Sequence, residues 1–208
     1  MVEITLEQAL TRFTQLHWQY GQPGEFKPLS ADFKWNDPVH LSKELRYFYG
    51  QAAPVQGTGF DLAGRPLDLL APEQLFVQSF GYRWPAPAPD FDPYDTPLVE
   101  QPDYWKEGWQ LIALHNREPV IASTHESGTP VYAGYESGLP LPVADSFAGF
   151  LAALGTALQV EYGEWSGKEA YDEETFEWSA VFLQEVADAV RPYAGEQNLA
   201  SFMKFFYG

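Results

Sequence analysis

Residues 108–124, GWQLIALHNREPVIAST, constrain the fold more than any other stretch. Two short apolar runs rich in β-branched residues flank a polar break at Asn116-Arg117-Glu118, which is the pattern of a β-hairpin. In the first run Leu111, Ile112, Ala113 and Leu114 are consecutive. Side chains alternate between the two faces of a strand, so an unbroken apolar run needs cover on both faces. A chain carrying such a strand has to supply a layer on each side of a sheet.

The residues that follow, HESGTPVYAGYESGLPLP, carry Glu-Ser-Gly-Thr-Pro and, ten residues on, Glu-Ser-Gly-Leu-Pro. The likeness stops after five residues, so it does not mark a duplicated unit. Ser127-Gly128 and Ser137-Gly138 are turn dipeptides, each with a proline two positions later. Between them PVYAGY alternates as a strand, which predicts a meander. Upstream, Gly57, Gly59 and Gly64 suggest strand and turn across Val55–Leu70.

Helices are expected on either side of these strands. Thr5 and Gln8 form a capping box ahead of Leu6, Leu10, Phe13, Leu16 and Tyr20 at helical spacing. Asp37-Pro38 reads as a cap and first-turn proline for a helix with Leu41, Leu45, Phe48 and Tyr49 on one face. APEQLFVQSFG predicts a short helix that stops at Gly81. Asp145 or Ser146 caps a helix through Phe147, Phe150, Leu151, Leu154 and Leu158. A further helix is expected to carry Phe176, Ala180, Leu183, Ala187 and Val190 and to end at Pro192, followed by a last short one with Leu199, Phe202, Met203 and Phe206. The proline-rich stretch 83–103 reads as an extended surface loop. The class is therefore α+β: a central, mostly antiparallel or mixed sheet flanked by helices, with a helical extension at the C-terminal side.

At 208 residues the chain is expected to form one domain with a sizeable core. The apolar runs are too short for a transmembrane helix, and MVEITLEQAL lacks the features of a secretory signal. Without cysteine, disulfide and thiolate chemistry are excluded. A cytoplasmic location fits these features. The formal charge of −17 repels phosphates and anionic lipid, so no direct nucleic-acid or membrane binding is expected. The same field attracts basic proteins and speeds their association.

No catalytic or cofactor motif stands out. Ser127 and Ser137 lack the Gly-x-Ser-x-Gly setting of a nucleophile elbow, and His125 and Asp145 beside them fit ordinary turns. His17, His40, His115 and His125 show no zinc-ligand spacing, although His115 and His125 could meet across adjacent strands near Glu126. Gly57-Thr58-Gly59 lacks the remaining glycine and the lysine of a phosphate loop. We therefore expect no catalytic residues, no metal and no cofactor.

Two acidic-aromatic segments remain. One holds Asp90, Asp92, Asp95, Glu100, Asp103 and Glu107 with Tyr94, Tyr104 and Trp105; the other holds Glu164, Glu169, Asp172, Glu173, Glu174 and Glu177 with Trp165 and Tyr171. Rings inside a charged rim suit a protein interface, where rings supply buried area and charges supply steering. The candidate partner-binding residues are Asp90, Asp92, Tyr94, Asp95, Asp103, Trp105, Glu164, Trp165, Glu169, Asp172, Glu173 and Glu174. In the structural alternative these rings turn inward and the acids form a solvated face.

The order of the pieces DPVHLSKELRYFYG, GWQLIALHNREPVIAST, TPVYAGYESG and VADSFAGFLAAL resembles the SUKH superfamily of bacterial toxin-immunity proteins and fungal cell-wall assembly regulators. The resemblance covers about Pro38–Leu154. It implies a single domain over 1–208 with a core at about 38–158 and a helical extension at 159–208. It also implies a non-catalytic protein that binds and occludes a toxin, often a nuclease, whose cleft is basic. The proline-rich loop and the residues after Leu158 depart from the family pattern, which leaves the binding face open. Two rival expectations are a small acidic hydrolase that uses a carboxylate pair and a regulatory scaffold without a toxin partner.

Overall fold

A computed structural model describes residues 3–36, 38–86, 98, 105–134 and 139–208. The chain runs α1 (Leu6–Gln19), β1 (Phe26–Lys27), α2 (Lys43–Ala52), β2 (Ala53–Pro54), β3 (Gly59–Leu62), β4 (Arg65–Leu69) and α3 (Gln74–Val77). It continues with β5 (Trp109–His115), β6 (Glu118–Ser123), β7 (Val131–Ala133), β8 (Leu141–Ala144) and α4 (Phe147–Leu158). A π-helical turn (Gln159–Glu164), β9 (Tyr171–Asp172), β10 (Glu177–Trp178), α5 (Ala180–Ala194) and α6 (Glu196–Tyr207) follow.

The fold is α+β, built on a six-stranded sheet in the order β3-β4-β5-β6-β7-β8 with every neighbouring pair antiparallel. The expected meander is present. Its central hairpin turns at Asn116 and Arg117, both at positive φ (50° and 68°), the geometry whose twist suits a two-residue connection. Every β5 residue but Leu114 is buried, so both faces of the strand are covered as the apolar run required. A bulge between Leu111 and Ala113 interrupts its pairing with β6.

Helices α1, α2, α4 and α5 begin where a side chain accepts from a free backbone N–H group. The Thr5–Gln8 capping box starts α1, and the Ser146 hydroxyl accepts from Gly149 N–H at 3.0 Å to start α4. The second helix departs from expectation. It begins at Lys43, where the Ser42 hydroxyl accepts from Leu45 N–H at 3.1 Å, so Pro38 lies before it. The fifth helix departs at both ends. Phe176 lies outside it, and Pro192 sits within it, because Pro192 falls in the final turn and Gly195 at φ 92° provides the stop.

Helix α4 is buried along almost its whole length and touches both α1 and α5. Arg12 of α1 donates to Thr156 Oγ1 at 2.8 Å and to Gln159 Oε1 at 3.0 Å. The His17 ring bonds the Gly59 carbonyl at 2.9 Å and so ties α1 to the sheet edge.

These contacts assign weight to single side chains. Leu111→Ala, at a fully buried position in β5, should cost roughly 2–5 kcal/mol. Trp18→Ala, on the exposed face of α1, should change stability by no more than about 0.5 kcal/mol. Urea unfolding of the two variants beside the parent chain checks both values.

Candidate functional site

The acidic segment after α4 folds into a hairpin. Glu177 pairs with Asp172, and Trp178 with Tyr171. Phe176 N–H donates to the Asp172 carbonyl at 2.8 Å. The Asp172 carboxylate accepts from Glu174 N–H at 2.8 Å and from Thr175 N–H at 3.1 Å, and these donors hold its pKa below the usual carboxylate value. Phe176 closes the turn at φ 59° with its ring 76% exposed.

Rings fasten this hairpin to the core. Trp178 lies 4.9 Å from Tyr171 and 5.4 Å from Phe182, which is fully buried. Trp165 meets the same Phe182 edge-on at 5.3 Å, and its Nε1–H donates to Glu185 at 2.5 Å. Ser179 N–H donates to the Ala170 carbonyl at 2.7 Å, closing the base. The polar side chains point the other way. Glu164, Glu169, Asp172, Glu173, Glu174 and Glu177 are all exposed. Lys168, the one base between Glu164 and Glu177, lies over the Trp165 ring at 5.1 Å. An open depression of about 830 Å³ is lined by Glu169, Tyr171, Asp172, Glu173, Glu174, Thr175, Glu177, Trp178 and Ser179.

The structure thus brings Glu164, Trp165, Glu169, Asp172, Glu173 and Glu174 together on one local unit. Glu177 and Phe176 join them; the first was noted as part of the acidic segment, and the second was expected on a helix. Asp90, Asp92, Tyr94, Asp95 and Asp103 lie outside the described residues. Trp105 departs from the expectation of an exposed contact: it is buried, packs edge-on against Trp109 at 5.8 Å and donates its Nε1–H to the Trp109 carbonyl at 3.0 Å. A tryptophan with its N–H satisfied inside gains more from burial than from exposure.

The remaining polar candidates have structural attachments. Asp145 accepts from Gln197 and Asn198 of α6, both at 2.8 Å. His125 packs over Gly108, where a Cβ would come within 2.6 Å of the ring. His40 and Ser127 are exposed, and Ser137 lies outside the described residues. Among the described residues, no group of three or more His, Asp or Glu is placed to hold a metal ion. No described helix is long and apolar enough to cross a membrane.

Two titratable groups, Glu161 half-buried and His115 buried, carry no signal in the local sequence. Glu161, on the π-helical turn, accepts Ala63 N–H at 3.0 Å and the Tyr207 hydroxyl at 3.3 Å. Burial pushes its pKa up to about 7, the two donors oppose that shift, and Asp61 adds to it. His115, at the end of β5, is pushed down to about 4 by burial and by the nearby Arg65 charge.

No family model, no curated protein and no solved structure matches the chain.

Glu161 makes stability depend on pH. The folded form holds its proton more tightly than the unfolded chain, so its contribution is complete below the ordinary value of 4.5 and is lost as pH rises through about 7. Glu161→Gln removes this titration. Between pH 4.5 and pH 8 the parent chain should lose about 3 kcal/mol relative to the variant, as read by urea unfolding at each pH.

Proposed function

We propose that this protein is a non-catalytic binding protein that captures a basic protein partner on the hairpin of residues 169–179, in the manner of a SUKH-type immunity protein occluding a toxin. The observation that carries the reading is the sorting of side chains in the hairpin. Trp178 and the preceding Trp165 rest on Phe182, while the hairpin's acids and Phe176 face outward. An acidic rim around an exposed ring matches what a basic cleft needs: charges that steer and one apolar group to bury. The overall charge of −17 extends the field and supports a partner of opposite sign. A nuclease toxin offers such a cleft, because it has to bind phosphates. The resemblance over Pro38–Leu154 supports the immunity role, and a cytoplasmic site of action belongs to the same proposal.

The experiment is capture of partners at low salt from cells that make the toxin, followed by kinetic measurement with the purified partner. Association should slow at least about tenfold on replacing Glu169, Glu173, Glu174 and Glu177 together by Gln, and should slow for the parent chain as salt rises. Phe176→Ala should leave association nearly unchanged and speed dissociation about tenfold, the behaviour of a ring buried at an interface. A partner whose association ignores both the charges and the salt would contradict the proposal.

A further inference from the structure

His115 forms part of the floor under the last helix. The residue is 2% exposed, and its ring lies 5.5 Å from Phe205 and 5.2 Å from Phe206. Phe206 in turn lies 4.7 Å from Phe202 and 6.4 Å from Phe150 of α4. The final turns of α6 therefore sit on a mostly aromatic bed that contains one ionisable ring. Neither ring nitrogen has a hydrogen-bond partner among the described residues.

Charged and polar groups surround the ring. Arg65 on β4 repels a proton on the ring, and Glu118 stands opposite His115 on β6. The Pro66 carbonyl favours the proton, but it already accepts Asn116 N–H at 2.7 Å. Lys204 is the basic residue in the last turn of α6, and its side chain is exposed. Tyr207, the next residue along the helix after Phe206, donates its hydroxyl to Glu161 on the π-helical turn. The Glu161 proton is held more tightly in the folded form, so it favours seating of α6 in acid and opposes the effect of His115.

We propose that the last turns of α6 are an acid-released flap, seated on the sheet only while the His115 ring is uncharged. An imidazolium pressed between Phe205 and Phe206 would be a desolvated charge against two rings, and lifting the helix would open the ring to solvent. A lone 12-residue helix is marginal in water, so the lifted segment would also lose its backbone protection. The flap reaches the acidic hairpin through Tyr207, which packs on Phe182 at 5.9 Å, the residue beneath Trp165 and Trp178. Acid would therefore loosen the seat of the hairpin, whatever that hairpin binds.

Backbone hydrogen exchange of the full chain, corrected for the intrinsic effect of pH, tests the flap. Seating is complete above the ordinary histidine value of 6.5 and weakens as pH falls towards about 4. Protection of residues 202–207 should fall on the order of a hundredfold over that range, while Leu111 and Ala113 stay protected. His115→Phe should abolish the fall, and Glu161→Gln should leave it in place. The ring signal of His115 in the parent chain gives a second measurement that does not depend on a variant folding, because protection should stop falling where the ring itself takes up its proton, near about 4. Protection of 202–207 that holds to pH 4, falls equally in His115→Phe, falls together with β5, or levels off away from the ring's own titration would overturn the inference.

Discussion

The close approach of α1 and α5 to α4 holds the structure together. Helix α4 is FAGFLAALGTAL, and its small residues let neighbouring backbones come close. A Cβ at Gly149 would lie 2.6 Å from the Tyr193 carbonyl oxygen on α5. One at Gly155 would lie 3.4 Å from the Phe13 Cα on α1. Because α1 is tied to β3 and α5 leads into α6, this three-helix contact fixes the layer against which the sheet folds. The same helix runs directly into the π-helical turn, which delivers Glu161 to the β3–β4 connection and Tyr207.

The acidic hairpin depends on that layer. Phe182 is the first-turn anchor of α5's buried face, and the two tryptophans of the acidic segment both rest on it. Their attachment lets the acids be crowded outward on a short, otherwise weak two-stranded ribbon. Asp172 holds the turn through two backbone N–H groups, whereas the neighbouring exposed glutamates repel one another and add to the negative field of this face. The buried titratable groups, in contrast, lie inside the layer, where their protonation bears on the seating of α6.

Much of the fold could be read from local pattern. The β5–β6 hairpin was legible because apolar runs, turn length and β-branched residues agree. The caps at Thr5 and Ser146 were legible because a hydroxyl before an amphipathic run has one strong local use. Ser42 was passed over because Asp37-Pro38 offered an equally good local signal earlier in the chain. Phe176 was placed on a helix because it falls at helical spacing from Ala180, yet the turn held by Asp172 takes it out. Trp105 and Trp165 share an acidic neighbourhood in sequence, but one is buried and the other lies partly buried at the surface. Which ring turns inward depends on Trp109 and Phe182, partners that no local spacing reveals. The role of Glu161 was equally hidden, since Ala63 and Tyr207 are far from it in sequence.

The hairpin of residues 169–179 is the surface proposed to meet a basic partner. The most direct measurement is hydrogen exchange of the chain alone and in complex with the partner recovered at low salt. Exchange should slow at 169–179, centred on the turn that carries Phe176. Unchanged exchange across 169–179, with protection gained on another face, would contradict it.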